Sequence, residues 1–196
     1  TSGNLDIGEI AHRRRRPRPR RPHLHALDRV DTQFPGASGK TVLDRVKRYE
    51  GLIGDINRLL DVVKPRLILI EEYAYSKNMG GQMYLGEFGG LLRWHLCDYT
   101  PHVLEVTASC LKKFATGKGN APKDVVMAHV AQRYGKLFQN NDEADSFVLY
   151  QMALQIIGRA EPANQAQSEA VAKVLSGHSA TAQQIREFCS DSEKPF

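Results

Sequence analysis

Three kinds of apolar spacing succeed one another along the chain. From Thr41 the residues Val42, Val46, Tyr49, Ile53, Ile56, Leu60 and Val63 recur at steps of four and three, the period of one helical face. Gly51 and Gly54 lower the helix propensity of that run and Pro65 ends it, so the expectation is a single helix laid across a sheet. Four consecutive apolar residues then follow, Leu67 to Ile70. They are too few for a helix and β-prone, which predicts a fully buried strand. GGQMYLGEFGGLLRWHLCD (80–98) returns to helical spacing, with Gly86 and Gly90 leaving a smooth strip open to another backbone. HVLEVT (102–107) predicts a second strand, and APKDVVMAHVAQRYG (121–135) a helix closed by Gly135. DEADSFVLYQMALQIIG (142–158) is apolar nearly all round beyond its first turn, as a buried helix is. Beyond Arg159 the chain is rich in Ala, Gln and Ser, with one more helix expected over Ala180 to Phe188. Helix, strand, helix, strand and further helices make an α/β sandwich.

The start of the chain does not follow these patterns. RRRRPRPRR (13–21) carries seven arginines, and its prolines exclude a helix and a central strand. It reads as an extended, solvated arm or as a phosphate-binding one. HLHALDRV (23–30) alternates weakly, as a strand would, and FPGASGKT (34–41) is a loop of turn formers. The GKT there is shared with loops that cradle nucleotide phosphates, but Phe34 stands where that motif needs glycine.

Composition narrows the class. A chain of 196 residues with 41% hydrophobic and 25% charged content suits one soluble globular domain with a sizeable core. The formal charge of +5 comes from the arginine block, since the rest of the chain sums to about −2. No apolar stretch approaches the ~20 residues that span a bilayer, and no apolar leader is evident near the start. Cys97, Cys110 and Cys189 are odd in number and far apart, which argues against a disulfide framework and a cysteine zinc site. A cytoplasmic location is expected.

The chemistry gathers where the first strand stops. Leu67–Ile70 runs directly into Glu71 and Glu72, and a carboxylate at the tip of a core strand is costly unless its charge is met. Asp142 and Asp145 open the last core helix three residues apart, so both project from one face of its first turn. Each alone is ordinary helix chemistry, because a helix N-terminus stabilises negative charge. Three carboxylates converging in one cleft, however, repel each other unless a divalent cation lies among them, and such hard oxygen donors suit Mg²⁺ or Mn²⁺. Two ions about 4 Å apart can activate water and stabilise both oxygens of a phosphodiester displacement.

Three blocks carry a resemblance: IEEYAYSKN (70–78), LKKFATGKGNAPKDVV (111–126) and DEADSF (142–147). From Val63 to Met152 the chain resembles the RuvC family of Holliday-junction resolvases, with matching intervals between the blocks. The resemblance implies an RNase H-like mixed sheet flanked by helices on both faces. It implies a nuclease domain over residues 1–158, atypical over 1–31, followed by a partly helical tail over 159–196. It also implies four catalytic, metal-holding acids. Glu71, Asp142 and Asp145 match three of them, and Glu72 reads as peripheral. The first acid belongs to a strand reading roughly G-I-D-P-G. Here LDIG (5–8) offers Asp6 at a suitable distance, but the arginine-proline block interrupts the hairpin that should follow, and Asp28 and Asp31 are the fallbacks.

The same resemblance assigns DNA contacts. Lys112 and Lys123 fall on positions that touch backbone phosphates, with Lys113 and Lys118 in the same basic stretch, and such contacts supply affinity rather than sequence reading. The family's junction-stacking aromatic is Ala74 here, so Tyr73 or Tyr75 would substitute unless both pack in the core; Lys77 and Asn78 match backbone contacts. The expected protein is a Mg²⁺-dependent endonuclease, with Mn²⁺ as a substitute, that cuts four-way junctions as a C2 homodimer. A branch-migration complex is an open further partner. A junction-binding protein that does not cut, or an RNase H-like nuclease for another nucleic acid, are the alternatives.

Overall fold

The structure is a computed structural model that describes residues 41–73 and 79–191. The arginine block, the weak strand at 23–30, nearly all of the loop at 34–41, and Asp6, Asp28, Asp31, Tyr75, Lys77 and Asn78 lie outside the described residues.

In chain order the elements are α1 (Val42–Val63), β1 (Ile68–Glu71), α2 (Met79–Tyr99), β2 (Val103–Val106), α3 (Ala108–Thr116), α4 (Lys123–Tyr134), α5 (Asn141–Ile156), α6 (Gln165–Ser176) and α7 (Ala182–Ser190). Among the described residues this is a helix-rich α/β arrangement around a two-stranded parallel sheet. None of its helices is long and apolar enough to cross a membrane.

Thr41, from the GKT run, caps α1. Its hydroxyl accepts from the Asp44 N–H at 3.1 Å, and the Asp44 carboxylate accepts from the Thr41 N–H at 3.2 Å. At the other end Lys64 takes a left-handed conformation, φ 48°, and Pro65 follows. The helix packs along α2. Tyr49 donates to Glu87 at 2.9 Å, Asn57 meets His95 at 2.7 Å, and Tyr99 donates to the Leu60 carbonyl at 3.1 Å. The sequence offset between partners stays at 38 or 39, which only helices running in the same direction maintain. The expected apolar face is correspondingly narrowed. Tyr49, Leu52 and Leu60 are buried, whereas Val42, Val46 and Val63 are exposed, because one neighbouring helix covers a thinner stripe than a sheet does.

β1 and β2 pair in register, Leu69 with Leu104 and Glu71 with Val106. The expectation of a fully buried first strand is corrected here. Ile68, Leu69 and Ile70 are half-buried and Glu71 is exposed. Leu67 and Leu69 pack against the core, and strand alternation turns Ile68 and Ile70 to the other face.

That core gathers Leu104 and Val106 with Leu111 and Phe114 of α3, Val126 and Val130 of α4, and Val148, Met152 and Ile156 of α5. The basic stretch from Leu111, for which the apolar spacing predicts no element, starts inside a helix. Thr107 caps it, its hydroxyl accepting from the Cys110 N–H at 3.1 Å, and Cys110, Leu111, Phe114 and Ala115 form its buried stripe. The segment from 159, expected as a tail, supplies α6 and α7, whose Ala170, Val174 and Ile185 lie in the same core. A buried amide pair ties α6 in place. Gln155 donates to the Gln167 side-chain carbonyl at 2.8 Å, which also accepts from the Ala163 N–H at 2.8 Å.

Candidate functional site

Strand alternation decides where Glu71 points. Two residues beyond Leu69, it leaves β1 on the face that the core helices cover, and α5 packs against that strand. The first turn of α5 therefore meets the end of β1. In that turn Asn140 caps the helix, its side chain accepting from the Glu143 N–H at 2.9 Å. The Glu143 carboxylate folds back to accept from the Gln139 N–H at 3.2 Å and from the Asn140 amide at 2.9 Å. Glu143 thus does the ordinary work of a first-turn acid. Asp142 and Asp145, one turn apart, are left facing the strand end.

The electrostatics record the meeting. Glu71 is held above the usual carboxylate range, first by the protein atoms that displace water around it, then by the negative charge of Asp145, with Asp142 adding to the effect. Asp145 is raised as well, again first by desolvation and then by Asp142. Lys123 and Lys112 act in the opposite sense on both acids. Glu71 is exposed at the end of its strand and yet partly desolvated by the protein atoms around it.

The two lysines reach this place from different elements. Lys112 rides on α3, directly after β2, and Lys123 is the first residue of α4. The turn between them is folded tightly. Gly117 closes α3 at φ 84°, and a β-carbon on Gly119 would stand 3.1 Å from the Ser109 carbonyl. The Thr116 hydroxyl donates to the Lys112 carbonyl at 2.8 Å and accepts from the Lys118 N–H at 3.1 Å. Lys118 itself stays exposed on the turn, and Lys113 pairs instead with Glu169 of α6 at 2.5 Å. Glu72 is exposed beside Glu71, its N–H spent on the Val106 carbonyl at 2.9 Å.

Tyr73 is half-buried and turned toward α2. The Arg93 guanidinium lies 3.9 Å from its ring centroid, and a β-carbon on Gly89 would overlap its hydroxyl. This placement favours packing over base stacking for Tyr73. Among the described residues no three Asp, Glu, His or Cys side chains close around a single ion in this arrangement. The site is a shared carboxylate field with two lysines at its rim.

Residues 38–156 match the model of the family described as crossover junction endodeoxyribonuclease RuvC. The chain belongs to the RuvC family. The crossover junction endodeoxyribonuclease RuvC of Chlamydia trachomatis serovar L2 is 30% identical over 136 residues, which cover 64% of this chain and 80% of that protein. The protein of the same name from Chlamydia muridarum is 29% identical over the same extent. That of Carboxydothermus hydrogenoformans is 30% identical over 89 residues, 45% of this chain and 56% of that protein. The RuvC match spans Glu71, Asp142, Asp145, Lys112 and Lys123 and ends with α5. It begins at residue 38, after Asp6, Asp28 and Asp31.

Sequence reasoning missed Arg93 and Gly89. The available signal was an arginine inside an otherwise apolar helical run, facing a strand that carries a single acid, Glu105, between Leu104 and Val106.

Proposed function

We propose that the chain is a metal-dependent endodeoxyribonuclease that resolves four-way DNA junctions. The observation that carries this reading is the convergence of Glu71, Asp142 and Asp145 with Lys112 and Lys123 at the end of β1. The RuvC membership gives that convergence its substrate, branched DNA.

The chemistry of the donors, rather than a closed three-acid cluster among the described residues, suits a divalent cation. The donors are hard carboxylate oxygens, and the carboxyls of Glu71 and Asp145 are raised in pKa, first by desolvation and then by their acidic neighbours. Glu71, Asp142 and Asp145 would hold the metal, Mg²⁺ or its substitute Mn²⁺, with Asp6 as the fourth acid. The bound metal supplies Lewis-acid stabilisation of a phosphodiester displacement. The chain's own residues do the rest. Lys112 and Lys123 bind the phosphates flanking the scissile bond and offset charge that develops there, while Lys118, Lys77 and Asn78 extend that backbone contact. Tyr75 is the aromatic assigned to the junction, because the other neighbour of the family's stacking position, Tyr73, is turned toward α2.

The full fold is read as an RNase H-like mixed sheet with helices on both faces. In support, Glu105 reaches Arg93 of α2 while its neighbours Leu104 and Val106 enter the core on the opposite side. The nuclease domain is assigned to residues 1–158, with α6 and α7 of the following segment packed on it. Symmetric cutting of two strands needs two sites, so the protein acts as a homodimer. Exposed Tyr84, Leu91 and Trp94 on α2, beside the bare Gly86 and Gly90, form the apolar surface that suits this pairing. Its setting is cytoplasmic, with a branch-migration complex as a further partner.

One observation favours a second reading, a junction-binding protein that does not cut: the family match leaves the first acid outside it. A single experiment separates the two. A synthetic four-way junction is incubated with Mg²⁺ or with Ca²⁺. Cutting in Mg²⁺ that disappears in Glu71→Gln, with binding retained, supports the nuclease; binding without cutting supports the second reading.

A further inference from the structure

We propose that Arg93 is a positioning residue for Glu71, fixing the direction in which that carboxylate leaves β1; the inference rests on the metal-centre reading above. Arg93 lies in the last third of α2, yet its guanidinium touches four separate parts of the fold. Its Nε donates to the Glu105 carboxylate on β2. Its Nη1 donates to the Gly89 carbonyl one turn back at 3.2 Å, and its Nη2 to the Glu71 carbonyl at 3.4 Å. Its face covers the Tyr73 ring at 3.9 Å.

Each contact fixes something different. Glu105 sits opposite Ile70 in the parallel pair, one step before Glu71, so the ion pair ties the guanidinium to the neighbouring strand at the same level. The bond to the Glu71 carbonyl then orients the last peptide of β1. The Tyr73 ring, held between the guanidinium and Gly89, sets how the chain departs two residues later. Gly89 is what makes this possible, because any side chain there would occupy the place of the Tyr73 hydroxyl. The arginine side chain is 22% exposed and its partner Glu105 49%, so the guanidinium is held from the protein side while the ion pair faces water.

A lysine cannot reproduce the set. It is a point charge that can keep the pairing with Glu105 but lacks the planar fork that spans two carbonyls and a ring. Outer groups that orient metal-binding side chains typically change metal affinity by about 10–100-fold when removed.

The test uses the full chain and reads Mn²⁺ binding without DNA, by electron paramagnetic resonance, alongside junction binding in Ca²⁺ and the thermal midpoint. Arg93→Lys and Glu105→Gln should each weaken Mn²⁺ binding by about 10–100-fold. Junction affinity should stay within about twofold, and the double variant should be little worse than either single one, as expected of partners in one contact set. Wild-type Mn²⁺ affinity in Arg93→Lys, with only a lowered thermal midpoint, overturns the inference and leaves Arg93 a structural strut. If the wild-type protein holds no Mn²⁺ that Glu71→Gln removes, the metal-centre reading falls and this inference with it.

Discussion

Glu71 leaves its strand on the side that Leu69 shares, and that direction carries it to Asp145 at the opening of α5. Desolvation first, and then the Asp145 charge, keep the Glu71 carboxyl above its ordinary range. A pairing of like charges at the junction of two elements is unstable by itself, and the folded chain retains it because the surrounding core fixes both ends.

Removing one of these charges should separate stability from activity. An acid whose pKa is raised in the folded state contributes stability below its unfolded pKa, and loses that contribution as pH rises through the raised value. At neutral pH the ionised pair is therefore a cost. In EDTA at pH 7.5, Glu71→Gln and Asp145→Asn should melt at or above the wild-type temperature. Junction cleavage should fall by at least about 100-fold, the scale of a few kcal/mol of lost charge stabilisation. A clear drop in melting temperature would contradict the repulsion.

Protons and metal compete for the same oxygens. Mg²⁺ should raise the melting temperature more at pH 8 than at pH 5.5, because protons compete more strongly for the raised acids as pH falls. At about 100 times its dissociation constant, a ligand specific to the folded state adds about 2.7 kcal/mol. Differential scanning fluorimetry across this range checks it, and equal shifts at both pH values would be the contrary outcome.

Lys112 and Lys123 should act in two ways. Both lower the pKa of Glu71 and Asp145, so Lys123→Ala should move the acidic limb of the cleavage profile to higher pH. As phosphate contacts, each should also weaken junction binding whatever the sequence at the crossover. The slope of log affinity against log salt should drop by about one per lysine. Lys113→Ala, which loses only a half-exposed pair with Glu169, is the comparison and should do neither.

The Tyr73 pocket makes a structural prediction. The Tyr73 hydroxyl is buried and accepts or donates no hydrogen bond among the described residues. Tyr73→Phe should therefore be neutral or stabilising by up to about 1 kcal/mol. Gly89→Ala, which forces the ring out, should cost about 1–3 kcal/mol. Chemical denaturation measures both, and the reverse order would show that the ring is not held there.

Ile185 tests how far the domain extends. It is fully buried at the end of a segment expected to be peripheral. Ile185→Ala should cost about 2–5 kcal/mol, with one cooperative transition. A change below 0.5 kcal/mol, of the size usual for surface sites, would mark α7 as dispensable.

Much of this arrangement was legible from the residues alone, for reasons that differ by element. α2, α4, α5 and both strands declared themselves because their apolar spacing and their stops, Gly135 above all, are local signals. The carboxylate site was legible because a strand ending in an acid is costly and asks for an explanation. α3 was hidden because four lysines and two glycines within twelve residues look like a solvated loop, although Leu111, Phe114 and Ala115 already mark its buried side. α6 was hidden because its buried face includes Gln167 and the small Ala170 beside Val174, and the Gln155–Gln167 amide pair is a contact that no periodicity announces. The strand came out half-buried because hydrophobic runs do not say how many faces are covered. Arg93 was invisible for a plainer reason: its partners come from both strands, the residues after β1 and its own preceding turn.

The alternation along β1 has an evolutionary consequence. One side of that short strand anchors the interior through Leu69 and aims Glu71 two positions later, so a single inserted or deleted residue would unseat the anchor and misdirect that carboxylate together. Lineages that lose catalysis by slippage at this point would lose the folded protein as well. Inactivated descendants that persist should therefore carry substitutions at the acids, with the length of the strand intact.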